Sequence, residues 1–348
     1  MKMNTENNFI IESSPHLHHP DSTAKIMLDV IIALVPAGIW GVFVFGVKAL
    51  IVLAVSVLGA VLGEYIMNKV LKRFTLGDYT AVLTGLLVGY NMPPAVPLYV
   101  PFLASLFAIL VVKWTFGGLG CNWMNPALGG RLFVFFSWTG AMTKWSAPCT
   151  QPGVDALGGA SPLGFVKTGM MEFNGTISGP IEFMAKEGYP MNGYFDLFIG
   201  NVSGCIGEVS ALLLILGGIY LLARKVITWE IPVAYIGSFA VLVWIFGGLG
   251  FTGKFFTGDV AFHLFAGGLM LGAIFMATDM VTSPLTSKGQ IIFGIGCGFL
   301  TFLIRFYGSF PEGVSLAIVL MNIAVPLIDK YSNPRVFGVE PAKKGAKK

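Results

Sequence analysis

A short polar segment combines small residues with a single hydroxyl group. Asp155, Gly159 and Ala160 precede Ser161 within residues 139–195, the one long polar stretch of the chain. A hydroxyl between small side chains in an exposed loop is accessible to an enzyme and can accept a covalent group. The pattern predicts a modification site at Ser161. The alternative is a glycine-rich turn before a proline.

Four acidic residues lie in or beside apolar stretches. Glu64 and Glu208 fall inside them, and Asp279 and Asp329 fall at their ends. A charged group at the centre of a membrane helix costs about 2.5–3.5 kcal/mol on insertion scales, so it needs a partner or a role. Coupling to Na⁺ or H⁺ is the functional interpretation, with Glu64 as the first candidate. The alternatives are pairing with a basic residue or a backbone donor, and helix capping for the aspartates.

The elements that position these residues are membrane helices. The chain is 55% hydrophobic and 11% charged, with a mean hydropathy of +0.77. Apolar runs of about 20 residues recur, and each is long enough to span a bilayer as a helix. The predicted spans are Lys25–Gly46, Lys48–Val70, Tyr79–Tyr90, Val96–Phe116, Asn125–Trp138, Asp196–Leu222, Ile231–Gly248, Asp259–Thr278, Gln290–Phe306 and Gly313–Asp329.

The basic residues predict the orientation of these spans. With the N-terminus in the cytoplasm, fifteen of the 22 Lys and Arg residues fall on the cytoplasmic side and five on the outer side. This positive-inside bias predicts that both termini are cytoplasmic and that Ser161 lies outside. Because the basic residues border the membrane, the net charge of +4 requires no nucleic-acid partner.

A metal site is not the favoured interpretation of the histidines or the cysteines. His16, His18 and His19 lie in a polar N-terminal segment, which is interpreted as a solvated or lipid-surface stretch and not as a signal peptide, with metal binding by the histidines as the alternative. The four cysteines have no metal-ligand spacing, so neither an iron–sulfur site nor a disulfide framework is expected.

The two halves of the chain are weakly similar in sequence. Lys113–Gly120 precedes Asn125-Pro126 in the first half, as Arg305–Gly313 precedes Val314 in the second. Five spans per repeat require opposite topologies, which puts a central site at the repeat interface. The expected fold is an all-α polytopic membrane protein with about ten transmembrane helices in two inverted five-helix repeats. Its predicted parts are a cytoplasmic segment 1–24, repeats 25–138 and 196–330, an external loop 139–195 and a basic cytoplasmic tail 331–348.

Five motifs in order resemble the RnfD/NqrB family of membrane subunits. The segment from Asp155 to Ser161 resembles its flavinylation motif, although Ser161 stands where many members carry Thr and Gly158 where Ser or Thr often begins the motif. The other four matching segments are Gly117–Ala127, Asp196–Glu208, Phe275–Ser283, and Pro311–Gly313 with Asn322–Asp329. The length and the brief N-terminal segment resemble RnfD more than NqrB.

The resemblance implies an electron-transfer role. It implies an FMN joined through its phosphate to Ser161, and a non-covalent riboflavin in the membrane part. Asn122, Asn125 and Gly120 are candidates for the riboflavin site, because amides can bond a ring edge and glycines allow close approach. The alternative for the amides is helix capping. Arg131 and Arg305 are candidates for holding a flavin phosphate, and otherwise snorkel.

The resemblance also implies partners. It predicts a subunit of an ion-translocating ferredoxin:NAD⁺ oxidoreductase (Rnf) complex in a bacterial or archaeal cytoplasmic membrane, with subunits of the A, B, C, E and G types. The NAD and iron–sulfur sites would lie in those subunits, and a flavin transferase would attach the FMN. Two alternatives stay open. One is an NqrB-like subunit of a Na⁺-pumping quinone reductase, and the other is a urea-channel-like solute transporter without redox function.

Overall fold

The computed structural model describes residues 21–149, 160–172 and 179–332, without the side chains of residues 170–172. Within these ranges all regular structure is helical. Five of the helices are long and apolar enough to cross a membrane, and three shorter helices are also apolar. The prediction of an all-α polytopic membrane protein is confirmed.

The first half of the chain has five main helices and one short helix, and one of the five changes from α-helix to π-helix. Helix α4 continues as a π-helix over Ala108–Trp114. Asn125 caps the N-terminus of α5 through its side chain, and a proline at the first helical position supports that start. The helices are α1 (Thr23–Phe45), α2 (Val47–Leu71), α3 (Thr80–Tyr90), α4 (Tyr99–Phe107), α5 (Pro126–Ser137) and the short α6 (Thr139–Met142).

The second half begins with short helices and ends with long ones. Helix α13 continues as a π-helix over Gly272–Met276. The helices are α7 (Pro162–Glu172), α8 (Pro180–Lys186), α9 (Tyr194–Ile199), α10 (Ala211–Ala223), α11 (Glu230–Phe246), α12 (Val260–Phe265), α13 (Leu269–Leu271), α14 (Ser287–Tyr307) and α15 (Val314–Ser332).

Two predicted spans are not continuous helices. The span predicted from Asp196 to Leu222 is interrupted over residues 200–210, and the span from Asp259 to Thr278 is interrupted after α12. Gly200 and Gly267 adopt positive φ angles of 99° and 74°, which end the preceding helices. Irregular backbone inside a membrane is tolerated where protein buries it. Both breaks therefore mark places where side chains and backbone are enclosed by other helices.

The same order of helix-on-helix packing occurs in both halves of the chain. Helix α2 packs on α4 as α11 packs on α14, and α4 packs on α5 as α14 packs on α15. The halves meet where α1 packs on α10 and α5 packs on α15. One large apolar core runs through both halves.

The bundle has two chemically different ends. We call one the basic end, because Lys25, Lys69 and Arg224 lie at helix ends there and Arg224 pairs with Asp29 of α1. We call the other the cap end, because α7, α8, α9 and α12 cover it. The cap has a small apolar core of its own, separate from the main one. Ser161 immediately precedes α7 and therefore belongs to the cap end.

Candidate functional site

A buried ionic cluster joins the two halves. Arg131 Nη1 donates to Asn91 Oδ1 and, at 2.9 Å, to Glu208 Oε1, while Nη2 donates to Glu312 Oε2 at 2.7 Å. Asn91 and Arg131 belong to the first half, and the two carboxylates belong to the second. We call these four residues the junction cluster.

Helix ends or breaks position three of the four members of this cluster. Asn91 ends the short helix α3, and Glu208 lies in the non-helical segment before α10. Glu312 precedes α15, and Arg131 lies in the second turn of α5. Because these helix ends and breaks place polar side chains inside the bundle, the Arg131 guanidinium can bond partners from three separate segments.

The charges of the junction cluster are unequal in number. One guanidinium faces two carboxylates, and the side chain of Glu208 is 2% exposed. Within the described residues, Glu208 Oε2 has no hydrogen-bond partner. A buried unpaired carboxylate oxygen is costly, so it is a position where a proton or a cation would be stabilised.

Ser161 lies beside this cluster. It was predicted to lie in an exposed loop, and that prediction was wrong, because its residue surface is 4% exposed. Its Oγ accepts a hydrogen bond from Gly164 N at 3.2 Å, and its carbonyl accepts one from Phe165 N. Ser161 thus caps the first turn of α7, and Pro162 occupies the first helical position. Ala160 is exposed, while Asp155 and Gly159 lie outside the described residues.

Two cavities share Glu312 as a wall. The smaller has a volume of about 20 Å³ and is lined by Ser161, Ser203, Glu208 and Glu312 among others. The larger has a volume of about 300 Å³, and Arg131 and Glu312 are the charged residues in its lining. The aromatic and apolar lining of the larger cavity includes Phe135, Trp145, Phe310 and Leu316. A volume near 300 Å³ is at the lower end of the range for ligand sites.

The second arginine candidate has a different environment. Arg305 Nη1 donates to the carbonyl of His263 at 2.5 Å, and its guanidinium carbon lies 5.0 Å from the ring centroid of Phe239. Among the residues that the structure describes, its Nε and Nη2 have no hydrogen-bond partner. Arg305 lines neither of the two cavities beside Glu312. The structure therefore separates the two arginines that were predicted to share a phosphate role.

Glu64 belongs to a polar cluster inside the first half, nearer the basic end. It is fully buried, and its Oε2 accepts from Lys113 Nζ at 3.0 Å and from Trp114 Nε1 at 2.9 Å. Thr75 donates to its other oxygen, and Lys113 also donates to Thr80. The π-helix after α4 carries both Lys113 and Trp114. We call these five residues the first-half cluster. Glu64 has a basic partner here, as the pairing alternative requires.

The amides predicted for a second flavin line a cavity at the basic end. Asn122, Asn125 and Asp279 share a space of about 120 Å³ with apolar side chains of α1, α3 and α10. Asn125 Oδ1 caps α5, and its Nδ2 donates to the carbonyl of Met276 in the second half. Gly120 has a φ of 88°, with no heavy atom within 4 Å of a Cβ added there.

Asp279 forms a local contact, and Asp329 forms a contact between two helices' ends that are distant in the chain. Asp279 accepts from Thr282 Oγ1 at 3.1 Å, and Asp329 accepts from Leu285 N at 3.2 Å. Sequence reasoning missed Asn91, Glu312 and Lys113 as site residues. A usable signal was present, because all three are polar residues beside interrupted or short apolar runs.

Lys167 and Tyr189 hold the first part of α7 in place. Lys167 Nζ donates to three carbonyls, that of Arg305 in the last turn of α14 and those of Gly308 and Phe310 just after it. Burial and the Arg305 guanidinium lower the pKa of Lys167, and the three carbonyls stabilise the ammonium against that cost. Tyr189 donates to the carbonyl of Ala160 at 2.7 Å. Burial raises the pKa of Tyr189 to about 12, so the phenol keeps the proton that it donates.

The fold and these clusters define a polytopic membrane protein with a charged centre between two helical halves. Comparison with known sequences then specifies the family. The chain belongs to the NQR2, RnfD, RnfE family, whose model matches residues 10–338. The assignment made from the five motifs is confirmed.

Curated relatives match the chain along nearly its whole length. It is 47% identical over 334 residues to the D-type subunit of the proton-translocating ferredoxin:NAD(+) oxidoreductase complex of Clostridium ljungdahlii, covering 96% of this chain and 97% of the relative. It is 42% identical over 345 residues to the D-type subunit of the Na(+)-translocating ferredoxin:NAD(+) oxidoreductase complex of Acetobacterium woodii, covering 98% and 99%. The D-type subunit of an ion-translocating oxidoreductase complex of Stutzerimonas stutzeri is 36% identical, covering 91% and 92%.

Proposed function

We propose that this chain is the flavin-carrying membrane subunit of an ion-translocating ferredoxin:NAD⁺ oxidoreductase complex. The observation that carries the proposal is similarity over more than nine-tenths of its length to D-type subunits of such complexes. The other subunits would hold the NAD and iron–sulfur sites, and electrons would pass through this chain on the way.

An FMN on Ser161 would supply the electron-carrying chemistry, since a flavin accepts one or two electrons. The cavity of about 300 Å³ supports this proposal, because it shares Glu312 with the Ser161 cavity and combines aromatic walls with two charged edges. Arg131 and Glu312 would provide hydrogen bonds to a ring there, and Phe135 and Phe310 would exclude water. The phosphate does not fit beside Ser161 in the present arrangement, because the adjoining space is about 20 Å³.

A riboflavin near Asn122 and Asn125 remains part of the proposal. Two amides and an apolar wall favour a flat ring with polar edges, whereas Gly120 does not line this space. The space of about 120 Å³ is below the usual range for ligand sites, so a ring there requires the walls to separate.

The coupling ion would be Na⁺ or H⁺. The names of two relatives with similar identity specify different ions, so family membership is compatible with either. Among the described residues, Glu208 has a buried carboxylate oxygen, Oε2, without a hydrogen-bond partner, and no such oxygen is found on Glu64, Asp279 or Asp329. We therefore propose Glu208 as the first residue to test for ion coupling.

We propose that the basic end faces the cytoplasm and that the cap end faces outwards, as the positive-inside rule favours. Cys121 and Cys149 are both exposed and flank opposite ends of α5. In intact cells, a membrane-impermeant thiol reagent should label Cys149 and spare Cys121, with single Cys→Ser variants identifying each product. Labelling of Cys121 alone would reverse the orientation.

The test of the function is covalent flavin. Protein made with a flavin transferase should give a fluorescent band on a denaturing gel, and Ser161→Ala should abolish that band. Ser161→Thr should retain it, because threonine keeps the hydroxyl. Ser203→Ala is the matched control, since Ser203 lines the same small cavity. A dark wild-type band, or a bright Ser161→Ala band, would refute attachment at Ser161.

The flavin band and a redox assay together separate the rival functions. A urea-channel-like transporter would carry no flavin and would pass solute without a redox partner. An NqrB-like subunit would carry flavin and would deliver electrons from NADH to a quinone. Reduction of NAD⁺ by ferredoxin in membranes containing the complex, lost with Ser161→Ala, would favour the ferredoxin-linked function over both.

A further inference from the structure

Helices α2 and α10 end at the basic end in the same way, with a lysine in left-handed backbone conformation. Lys72 has φ and ψ angles of 52° and 38°, and Lys225 has a φ angle of 59°. In both, the amide of the next residue donates to the carbonyl five residues before it, over 3.1 Å for Arg73 and 3.0 Å for Val226. Glycine is the usual residue at the left-handed position of this helix-ending motif. Two lysines therefore stand where the backbone favours glycine.

The left-handed conformation is unfavourable for the lysine backbone. Glycine adopts it without a clash, whereas the Cβ of another residue approaches the following carbonyl oxygen. A lysine at a helix C-terminus does gain from the helix dipole, and that is the purely structural explanation of both residues. Backbone strain that recurs at two helix ends also indicates that the side chains have a role of their own.

The cations at these two helix ends lie on the surface. Lys72, Arg73 and Lys225 are exposed, and within the described residues none of them forms an ion pair. The neighbouring Arg224 differs, because it pairs with Asp29. Three positive charges are therefore available to an anion from outside the chain.

Large apolar side chains lie next to these cations. Phe74 is 83% exposed and directly follows Arg73, and Trp229 is 59% exposed and follows Lys225 by four residues. The adjoining helix α2 is long and apolar enough to span a bilayer, and α10 is a shorter apolar helix. Aromatic rings together with basic residues at the ends of such helices are typical of the level of the lipid headgroups. An acidic soluble protein would attract the cations, but it would give the aromatic rings no apolar surroundings.

The two helix ends belong to one region of the basic end. The turn over Leu76–Asp78, which follows α2, packs against α1. Val226, which follows α10, lines a cavity together with Ile26 of α1 and Thr80 of α3. The start of α1 therefore connects the two ends, so that one patch of headgroups meets both lysines.

From the left-handed lysines and the exposed rings beside them, we propose that the basic end binds the headgroups of anionic phospholipids through Lys72, Arg73 and Lys225. The lipid phosphates accept hydrogen bonds from the ammonium and guanidinium groups, and Phe74 and Trp229 lie among the upper parts of the acyl chains. The inference depends neither on a flavin nor on the coupling ion, so it is tested independently of the proposed function.

The test compares lipid binding with stability in one set of variants. The purified full chain in detergent is titrated with phosphatidylglycerol and, separately, with phosphatidylcholine, and the lipids retained are counted by native mass spectrometry. The wild type should prefer phosphatidylglycerol. Lys72→Gly combined with Lys225→Gly should lower the affinity for phosphatidylglycerol about 25-fold, since each basic residue near an anionic surface contributes about fivefold. The same variant should unfold at a higher temperature in lipid-free detergent, because glycine removes the backbone strain.

Two further variants make the result specific. Lys72→Gln combined with Lys225→Gln removes both charges and keeps the strain, so it should lose the same affinity without the gain in unfolding temperature. Lys144→Gly combined with Lys254→Gly removes two exposed charges from the cap end and should bind phosphatidylglycerol as the wild type does. An acidic protein as the only occupant would leave the wild type without a lipid preference, and that result overturns the proposal. Equal affinity in the wild type and in Lys72→Gly with Lys225→Gly, or an equal loss in the cap-end control, also overturns it.

Discussion

The two buried ionic clusters differ in how completely their charges are matched. In the first-half cluster, one lysine faces one carboxylate, and Thr75, Thr80 and Trp114 complete their hydrogen bonds. All its members come from residues 64–114. In the junction cluster, one arginine faces two carboxylates from the other half of the chain, and one carboxylate oxygen has no partner among the described residues. In the first-half cluster the charges are balanced and both oxygens of the carboxylate are bonded. The junction cluster can still accept a proton or a cation.

A second contrast concerns the cations near the ends of the corresponding helices α4 and α14. Lys113 lies on the π-helix that continues α4 and pairs with a carboxylate of α2, whereas Arg305 of α14 lies over the Phe239 ring of α11. A ring face stabilises a cation by about 0.5–2 kcal/mol, but among the described residues Arg305 Nε and Nη2 have no hydrogen-bond partner. Among the described residues, Arg305 has no counterpart of the Lys113–Glu64 ion pair, and it lies in the region that also contains Ser161 and the junction cluster. The comparison favours a structural role for the first-half cluster and a functional role for the junction.

The largest effect should follow from removing the shared cation. Arg131→Met leaves Glu208 and Glu312 buried without their partner, and breaking a buried ion pair from one side costs about 3–5 kcal/mol. Thermal unfolding of the purified protein in detergent should show a clear loss of stability. Combining Arg131→Met with Glu208→Gln should restore part of it, because one buried charge is removed. Wild-type stability of Arg131→Met would mean that the cluster does not hold the halves together.

The sequence alone predicted the helices that correspond to continuous apolar runs. The predicted span from Lys48 to Val70 became α2 with one-residue differences at each end, and Gln290–Phe306 lies within α14. The predicted spans that contain Gly200 and Gly267 were broken instead, because hydropathy does not register a backbone turn. The apolar composition of such a segment is the same whether the helix continues or stops.

The site was harder to predict, because its partners are distant in the chain. Arg131 was identified, but its contacts with Asn91, Glu208 and Glu312 depend on how the halves pack. Lys113 was counted with the basic residues that border the membrane, and the π-helix places it against Glu64 inside the bundle. Ser161 was predicted to lie in an exposed loop, but Pro162 begins a helix and the hydroxyl of Ser161 is buried. Burial is a property of the whole fold that the local motif does not contain.

We propose that the junction cluster, and not the first-half cluster, couples ion movement to electron transfer. The direct measurement is ion uptake by sealed vesicles that contain the assembled complex, driven by reduced ferredoxin and NAD⁺, with Na⁺ and H⁺ followed separately. Glu208→Gln keeps the size of the side chain and removes its charge. The matched control is Glu64→Gln combined with Lys113→Met, which neutralises the closed pair without leaving a lone buried charge. With covalent flavin at wild-type levels in both, uptake should fall close to background in Glu208→Gln and remain substantial in the control. Normal uptake in Glu208→Gln together with its loss in the control would contradict the claim and return the coupling role to Glu64.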